Sequence, residues 1–133
     1  MTSCSPEQVH WVFAERFSAG DLDGVMSLYE KGATFISRTE GPVSGVNEIR
    51  KLLANVLASK PQMQLTIRKA YVAGDLALLI SDWTIFEGDG LGRTVSAKGR
   101  TTDVVRRQPD GGWLLVIDSP YGAVPDESPL HRN

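Results

Sequence analysis

The chain has 133 residues, of which 41% are hydrophobic and 23% are charged, with a formal net charge of −2. This length and composition predict one globular domain with its own hydrophobic core. Lysine and arginine are scattered along the chain, which argues against a nucleic-acid-binding surface. The single cysteine, Cys4, cannot form an intramolecular disulfide, which fits a reducing compartment.

Membrane, export and metal-binding signals are weak throughout the sequence. No apolar run reaches the roughly 18 residues of a membrane helix, and the first residues lack a signal-peptide pattern. We therefore expect a cytoplasmic protein without membrane or nucleic-acid partners. His10 and His131 have no second ligand at helical spacing, so we expect no metal site and no cofactor. His10 is expected on the surface of a helix, and a Ser-His-Asp triad is not expected.

The first 60 residues carry helical signals. Ser5–Gln8 places a serine, a proline and a glutamine at the spacing that starts a helix, and Gly20 ends it. Asp21 is predicted to cap a second helix that includes Tyr29. A strand over 33–37, a loop at 40–42 and a third helix between 45 and 59 are expected to follow.

The pattern then changes to the alternation that is typical of strands. Four strands are predicted over 63–72, 76–86, 94–108 and 113–120, separated by glycine-containing turns. Helices followed by antiparallel strands predict an α+β domain over residues 1–122. A curved sheet packed on helices leaves a concave face, which is the expected ligand site. Residues 123–133 show no periodicity and are predicted to form a loose tail.

Hairpin pairing predicts which side chains share a face of this sheet. A two-residue turn at 110–111 would place Asp103 opposite Asp118. If the residue numbers of paired positions in the preceding hairpin add up to an odd number, Asp82 lies on the same face. The predicted pocket face comprises Leu78, Ile80, Asp82, Thr84, Val95, Ala97, Thr101, Asp103, Val105, Leu114, Val116 and Asp118. The opposite face, which we interpret as a homodimer interface, comprises Trp83, Ile85, Lys98, Arg100, Val104, Arg106, Trp113, Leu115 and Ile117.

The carboxylates on the predicted pocket face have two interpretations. Buried together, Asp103 and Asp118 would titrate as a coupled pair, with one raised pKa suited to general acid/base chemistry. Alternatively, Asp103 pairs with Arg100 or Arg106 at the rim, and Asp118 caps the turn before Pro120. The sequence leaves both interpretations open.

Several motifs resemble a known family. The segment SAGDLDG (18–24), then LY (28–29) and GATF (32–35), resembles bacterial ketosteroid isomerase and, more widely, the NTF2-like superfamily. The segment TDVVRRQPDGGW (102–113), with ID at 117–118, resembles the SnoaL-like and DUF4440 branch. The resemblance implies an NTF2-like (cystatin-like) cone, in which three N-terminal helices pack on a strongly curved antiparallel sheet.

The resemblance also assigns roles to particular positions. The isomerase's tyrosine, base and late aspartate fall on Phe13, Ser37 and Asp103. Phe13 cannot donate a hydrogen bond and Ser37 lacks a basic partner, so steroid isomerisation by these residues is not expected. A distant similarity to limonene epoxide hydrolase would use Asp82 and Asp118, but the bridging arginine is missing near Ile80.

We therefore predict a pocket for a small, largely apolar organic ligand. Any activity would be cofactor-free proton transfer of the isomerase or polyketide-cyclase type; the alternatives are a non-catalytic binding or association module and, third, an epoxide hydrolase. The candidate catalytic residues are Asp103, Asp118 and Ser37. The candidate ligand-binding residues are Phe13, Phe17, Tyr29, Ile80, Asp82, Thr101 and Val105.

Overall fold

The computed structural model describes residues 4–88 and 92–122. Its elements, in chain order, are α1 (Pro6–Ser18), α2 (Leu22–Met26), β1 (Tyr29–Ser37), β2 (Gly41–Ser44), α3 (Val46–Leu57), β3 (Gln62–Ala73), β4 (Leu76–Glu87), β5 (Thr94–Arg107) and β6 (Trp113–Asp118). The strands form one sheet in the order β2-β1-β6-β5-β4-β3. Only the β1–β6 pair is parallel among these strands. The predicted α+β class, with three helices on a curved sheet, is confirmed.

The helix boundaries follow the local signals in the sequence. The side chain of Gln8 accepts a hydrogen bond from the Ser5 N–H at 3.2 Å, as the predicted start of α1 requires. Asp21 Oδ1 accepts from the Gly24 N–H at 2.9 Å and so caps α2. Gly20 joins these two helices with φ of 70°, a conformation that glycine adopts without strain. None of the described helices is long and apolar enough to cross a membrane.

Two predicted boundaries in the first half of the chain are wrong. The second helix ends at Met26, and Tyr29 begins β1 instead of extending the helix. The segment predicted as a loop at 40–42 contributes to β2, in which Pro42 lies opposite Ile36. Proline fits there because β2 is at the edge of the sheet, where its missing N–H breaks no ladder. The predicted tail, 123–133, lies outside the described residues.

The hydrophobic core lies between the three helices and the inner face of the sheet. Helix α3 contributes Ile49, Leu53 and Leu57, at the spacing of one helical face. The other members of the core cluster are Val9, Phe17, Val25, Met26, Leu28, Tyr29, Ala33, Ala77, Leu79, Val105, Trp113 and Leu115. Each of these side chains is at most 8% exposed, so this layer fixes the position of the helices over the sheet.

The register of the β4–β5 hairpin corrects the predicted faces. Along most of this hairpin the residue numbers of paired positions add up to an even number, as for Leu79 with Asp103 and Ser81 with Thr101. The odd sum appears only at the loop end, beyond the irregularity at Ile85 and Phe86. Because a shift of one residue exchanges the two faces of a strand, the inner residues of β4 are Leu79, Ser81, Trp83 and Ile85.

The predicted interface residues are affected by this correction. Trp83, Trp113 and Leu115 are between 1% and 7% exposed and pack inside the domain. Ile85 is partly buried against the same core. The outer face of the sheet therefore has a different composition from the one predicted, while pairing of two chains stays a prediction.

Candidate active site

A cavity of about 250 Å³ lies between the helices and the inner face of the sheet. Most of its wall is aliphatic or aromatic, with polar groups from the ends of the central strands and from α1. Its lining residues are His10, Phe13, Phe17, Phe35, Ile36, Ser37, Arg38, Thr39, Leu52, Leu53, Val56, Met63, Leu65, Trp83, Ile85, Thr101, Asp103, Asp118, Pro120 and Tyr121. A concave apolar site with a few convergent polar groups is the usual form of a small-molecule site.

A β-bulge brings Asp118 into this cavity. Val105 lies opposite Leu115 and Val104 lies opposite Ile117, so Val116 is an extra residue in β6. Without it, the alternation from Trp113 and Leu115 would turn Ile117 inward and Asp118 outward. The hairpin turn is also one residue longer than predicted, since Arg107 pairs with Trp113. The longer turn and the bulge compensate, so Asp103 and Asp118 share the pocket as the sequence predicted.

Asp103 is held by three hydrogen-bond donors. Its Oδ1 accepts from Thr101 Oγ1 at 2.7 Å and from the Ser119 N–H at 2.9 Å, and its Oδ2 lies 2.6 Å from His10 Nε2. The residue is 3% exposed, so water does not replace these partners. Three donors suit an ionised carboxylate, which can only accept hydrogen bonds. The alternative pairing of Asp103 with Arg100 or Arg106 is not found, because those arginines bind Asp82 and Glu30.

The prediction of a surface position for His10 is wrong. The residue is 2% exposed, and its two ring nitrogens contact Asp103 and the Ser81 hydroxyl. The sequence does contain a signal for this position, because His10, Phe13 and Phe17 are spaced i, i+3 and i+7 on one face of α1. A histidine in line with two pocket phenylalanines is on the buried side of the helix.

Ser81, His10 and Asp103 form a hydrogen-bonded chain with His10 in the middle, which the sequence did not predict. Ser81 Oγ lies 2.7 Å from His10 Nδ1, while His10 Nε2 faces Asp103. Ser81 is fully buried and does not line the cavity, so its hydroxyl cannot attack a bound ligand. The hydroxyl can donate to a neutral ring or accept from a charged one, so His10 keeps both contacts in either protonation state.

Asp118 has a different environment from Asp103. It is 5% exposed, and its Oδ2 accepts a hydrogen bond from the Tyr29 hydroxyl at 2.5 Å. Burial raises the pKa of the Asp118 carboxyl well above its usual range, and the nearby charge of Asp103 raises it further. Burial, together with Asp118, also raises the pKa of the Tyr29 hydroxyl, which therefore remains a donor. The environment of Asp118 therefore agrees with the predicted raised pKa in this pair of aspartates, which stays a prediction.

The remaining predicted site residues divide into three groups. Phe13, Phe17, Ser37 and Thr101 line the cavity. Tyr29 and Val105 are buried in the core, and Tyr29 reaches the site through its contact with Asp118. Ile80 and Asp82 do not line the cavity, because the corrected register turns them to the outer face.

Asp82 has a structural explanation on that outer face. Its carboxylate binds Arg68 at 2.7 Å and Arg100 at 2.6 Å. Hydrogen bonds from Arg100 and Arg68 lower the pKa of Asp82 to about 2. Asp82 and Asp118 therefore do not form the carboxylate pair that an epoxide hydrolase arrangement needs.

The described residues contain no group of three or more potential ligands arranged to hold a metal ion. The groups that can act on a ligand are instead the carboxyl of Asp118, the hydrogen-bonded pair of His10 and Asp103, and the hydroxyl of Ser37. Ser37 Oγ accepts from the N–H groups of Thr39 and Glu40, at 3.3 and 3.2 Å. Together these groups can exchange a proton with a bound molecule and bind its polar end.

Solved structures of similar proteins share this fold. One is a proposed calcium/calmodulin-dependent protein kinase type II association domain from Thiobacillus denitrificans, with a TM-score of 0.75, 22% identity, and coverage of 90% of this chain and 98% of that one. Another is a proposed dehydratase of the NTF2-like family from Streptomyces avermitilis, with a TM-score of 0.71, 24% identity, and coverage of 88% and 94%. A third is a ketosteroid isomerase-like protein from Erwinia carotovora atroseptica, with a TM-score of 0.68, 15% identity, and coverage of 85% of this chain and 89% of that one.

At these identities the similarity establishes the fold and leaves the activity open. No curated protein sequence matches the chain. The family model described as the SnoaL-like domain matches residues 12–116. Because that match covers most of the sequence, and the helices and sheet agree with NTF2-like structures, the chain belongs to the SnoaL-like family and has the NTF2-like fold.

Proposed function

We propose that the protein binds a small, largely apolar organic molecule and catalyses a cofactor-free proton transfer on it, of the isomerase or dehydratase type. The observation that supports this best is Asp118, a buried carboxyl with a raised pKa at the wall of an otherwise apolar cavity. Perturbed carboxyls in clefts are frequent acid/base groups. The similar structures named for an isomerase and a dehydratase are consistent with such chemistry.

The size of the cavity limits the ligand. At about 250 Å³ it is larger than the roughly 150 Å³ cavity that holds a benzene molecule and smaller than the roughly 300–1,000 Å³ of drug-sized sites. A molecule of one or two rings fits these limits. The phenylalanines of α1 and the leucines of α3 would contact its apolar surface.

The roles of the polar groups follow from their hydrogen bonds. Asp103 already contacts three donors, whereas Asp118 contacts one, which makes Asp118 the better acid/base group and changes the predicted lead role from Asp103 to Asp118. Tyr29 fixes the Asp118 carboxyl through Oδ2. His10, which keeps its partners in both protonation states, would balance charge as the proton moves. Ser37 would bind the polar end of the ligand.

Solvent-deuterium exchange tests this proposal. The wild-type protein is expected to accelerate exchange at the activated C–H of 2-tetralone, a two-ring ketone, because Asp118 can remove a proton next to the carbonyl. NMR of the ketone in deuterated buffer measures the rate, and native mass spectrometry of the same sample measures binding. Binding of the ketone without accelerated exchange would contradict the catalytic part of the proposal and favour a binding module.

Association is a second candidate function, and the outer face of the sheet favours it. Cα partners place Tyr71, Leu78, Val104 and Ile117 side by side across four strands; we call this row the outer stripe. Tyr71 is 56% exposed and Ile117 is 38% exposed. We propose that two copies of the chain pair through the outer stripe, since a two-fold contact covers the same patch on both.

Sedimentation of the wild-type protein at micromolar concentration tests this pairing. A species of twice the 14.5 kDa chain mass is expected. Ile117→Lys should shift it to the monomer by placing a charge in the outer stripe. Trp11→Lys is the matched control, because Trp11 is 58% exposed on α1 and is not part of the outer stripe. A wild-type monomer, or equal dissociation by both substitutions, would contradict pairing through this face.

A further inference from the structure

Arg38 is an unusual charge at the rim of the cavity. It is exposed and lines the cavity just after the end of β1, and its guanidinium carbon lies 4.5 Å from the centre of the Tyr121 ring. Five of the other described arginines bind acids: Arg50, Arg68, Arg100, Arg106 and Arg107. Arg16 binds the Gly24 carbonyl and Arg93 lies over Phe86, and neither lines the cavity. Among the described residues, Arg38 has no acidic partner. Its N–H groups are therefore available to a ligand.

The ring beneath Arg38 is held in place by several contacts. Tyr121 packs edge to face on Trp83, with ring centres 5.3 Å apart, and Trp83 Nε1 donates to the Pro120 carbonyl at 2.7 Å. Gly99 makes this packing possible, because a Cβ there would lie 2.9 Å from the Trp83 ring and 3.1 Å from Tyr121. Arg38 therefore rests on a fixed wall of the cavity, which limits the positions that its guanidinium can take.

The two strands that meet at the site set the separation between Arg38 and the acids. Phe35 and Asp118 are partners in the parallel pair β1–β6, and Arg38 and Tyr121 each follow three residues later. Both residues lie in turns beyond the ends of these strands, so the guanidinium lies at the rim of the cavity, whereas Asp118 is 5% exposed. A ligand with an apolar body and polar groups at opposite ends could contact Arg38 and Asp118 together, because both line the cavity.

We propose that the ligand is an organic acid with an apolar one- or two-ring body, whose carboxylate binds Arg38 at the rim while its other end contacts Asp118 and His10. This inference rests on the proposed function and adds to it the chemical class of the ligand. The planar guanidinium forms paired hydrogen bonds with a carboxylate. The acids at the buried end would repel a carboxylate, so the arrangement selects one orientation.

Calorimetric titration of the full chain with 6-hydroxy-2-naphthoate and its uncharged match, 6-hydroxy-2-naphthamide, tests the inference. The acid is expected to bind at least about fivefold more tightly than the amide at low salt, and added salt should reduce that preference. Arg38→Gln should remove the preference, and Arg38→Lys should keep part of it because the charge remains. Arg93→Gln is the control, because Arg93 lies over Phe86, which does not line the cavity.

Three outcomes would overturn the inference: equal binding of the two probes by the wild-type protein, an acid preference that survives Arg38→Gln, or binding of neither probe. Deuterium exchange of 2-tetralone, which has no acid group, separates this failure from failure of the proposed function. Exchange without an acid preference would contradict only the role of Arg38. An acid preference without exchange would retain the ligand class and contradict the catalysis.

Discussion

Replacing Asp103 with alanine is expected to lower the free energy of unfolding by about 2–5 kcal/mol at pH 7, because it leaves buried hydrogen-bond donors without their acceptor. His10 Nε2 and the Ser119 N–H lose their acceptor, and Thr101 Oγ1 keeps only its contact with the Ser119 carbonyl at 3.1 Å. His10 is 2% exposed, so water does not readily replace the carboxylate there. Urea unfolding followed by tryptophan fluorescence measures the change.

Asp118→Ala is the matched control, because it deletes the same atoms from a neighbouring position. It leaves only the Tyr29 hydroxyl without its partner, and it also removes a carboxyl that is costly to ionise in this site. Its loss of stability is expected to be below about 2 kcal/mol. Equal losses for the two variants would contradict the distinction between a structural Asp103 and an available Asp118.

Asp118→Asn is expected to reduce deuterium exchange of 2-tetralone about a hundredfold or more while leaving its binding unchanged. The amide keeps the shape of the carboxyl but cannot take up a proton, and a positioned acid/base group contributes roughly 10²–10⁴-fold. Asp82→Asn is the control, because Asp82 lies on the outer face with Arg68 and Arg100. Exchange that persists in Asp118→Asn at the wild-type rate would exclude this carboxyl as the acid/base group.

The same variant should change how stability depends on pH. Burial and the charge of Asp103 raise the pKa of Asp118, so folding favours its protonated form. That contribution is complete below the ordinary aspartate pKa of about 3.9 and is lost as the pH rises through the folded value. The asparagine side chain does not ionise, so Asp118→Asn should gain stability relative to the wild type as the pH rises from about 4 to about 8. Urea unfolding across this range measures the difference, and a constant difference would contradict a raised pKa.

Much of the fold follows from local patterns in the sequence. The capping residues Ser5 and Asp21 and the alternation of the last four strands locate the main elements to within a few residues. The faces of β4 could not be located in this way, because a single register shift exchanges Asp82 with Ser81. The predicted register holds next to the loop, where Phe86 pairs with Val95, and an extra residue at Ser96 shifts the rest of the hairpin by one. The alternation of the strands does not reveal such a bulge.

The residues of the candidate site can likewise be predicted only in part from the sequence. A two-residue turn predicts Asp103 and Asp118 on one face, and this placement is right only because the longer turn and the bulge at Val116 compensate each other. The apolar residues of α1 alone do not indicate that His10 is buried, because histidine is as often exposed as buried. Its partners lie 71 and 93 residues away in the chain, and spacing within one helix does not reveal them. Arg38 gave no signal, because an arginine after a strand is common on protein surfaces.

The pKa of Asp118 itself tests the central claim most directly. The side-chain carboxyl carbon of Asp118 can be followed by NMR as the pH changes, and its signal can be assigned by its loss in Asp118→Asn. A titration midpoint well above the ordinary value of about 3.9 is predicted, because burial and Asp103 both disfavour the ionised form. A midpoint at or below that value would contradict the account, since Asp118 would then be a charged structural group and a poor acid/base at neutral pH.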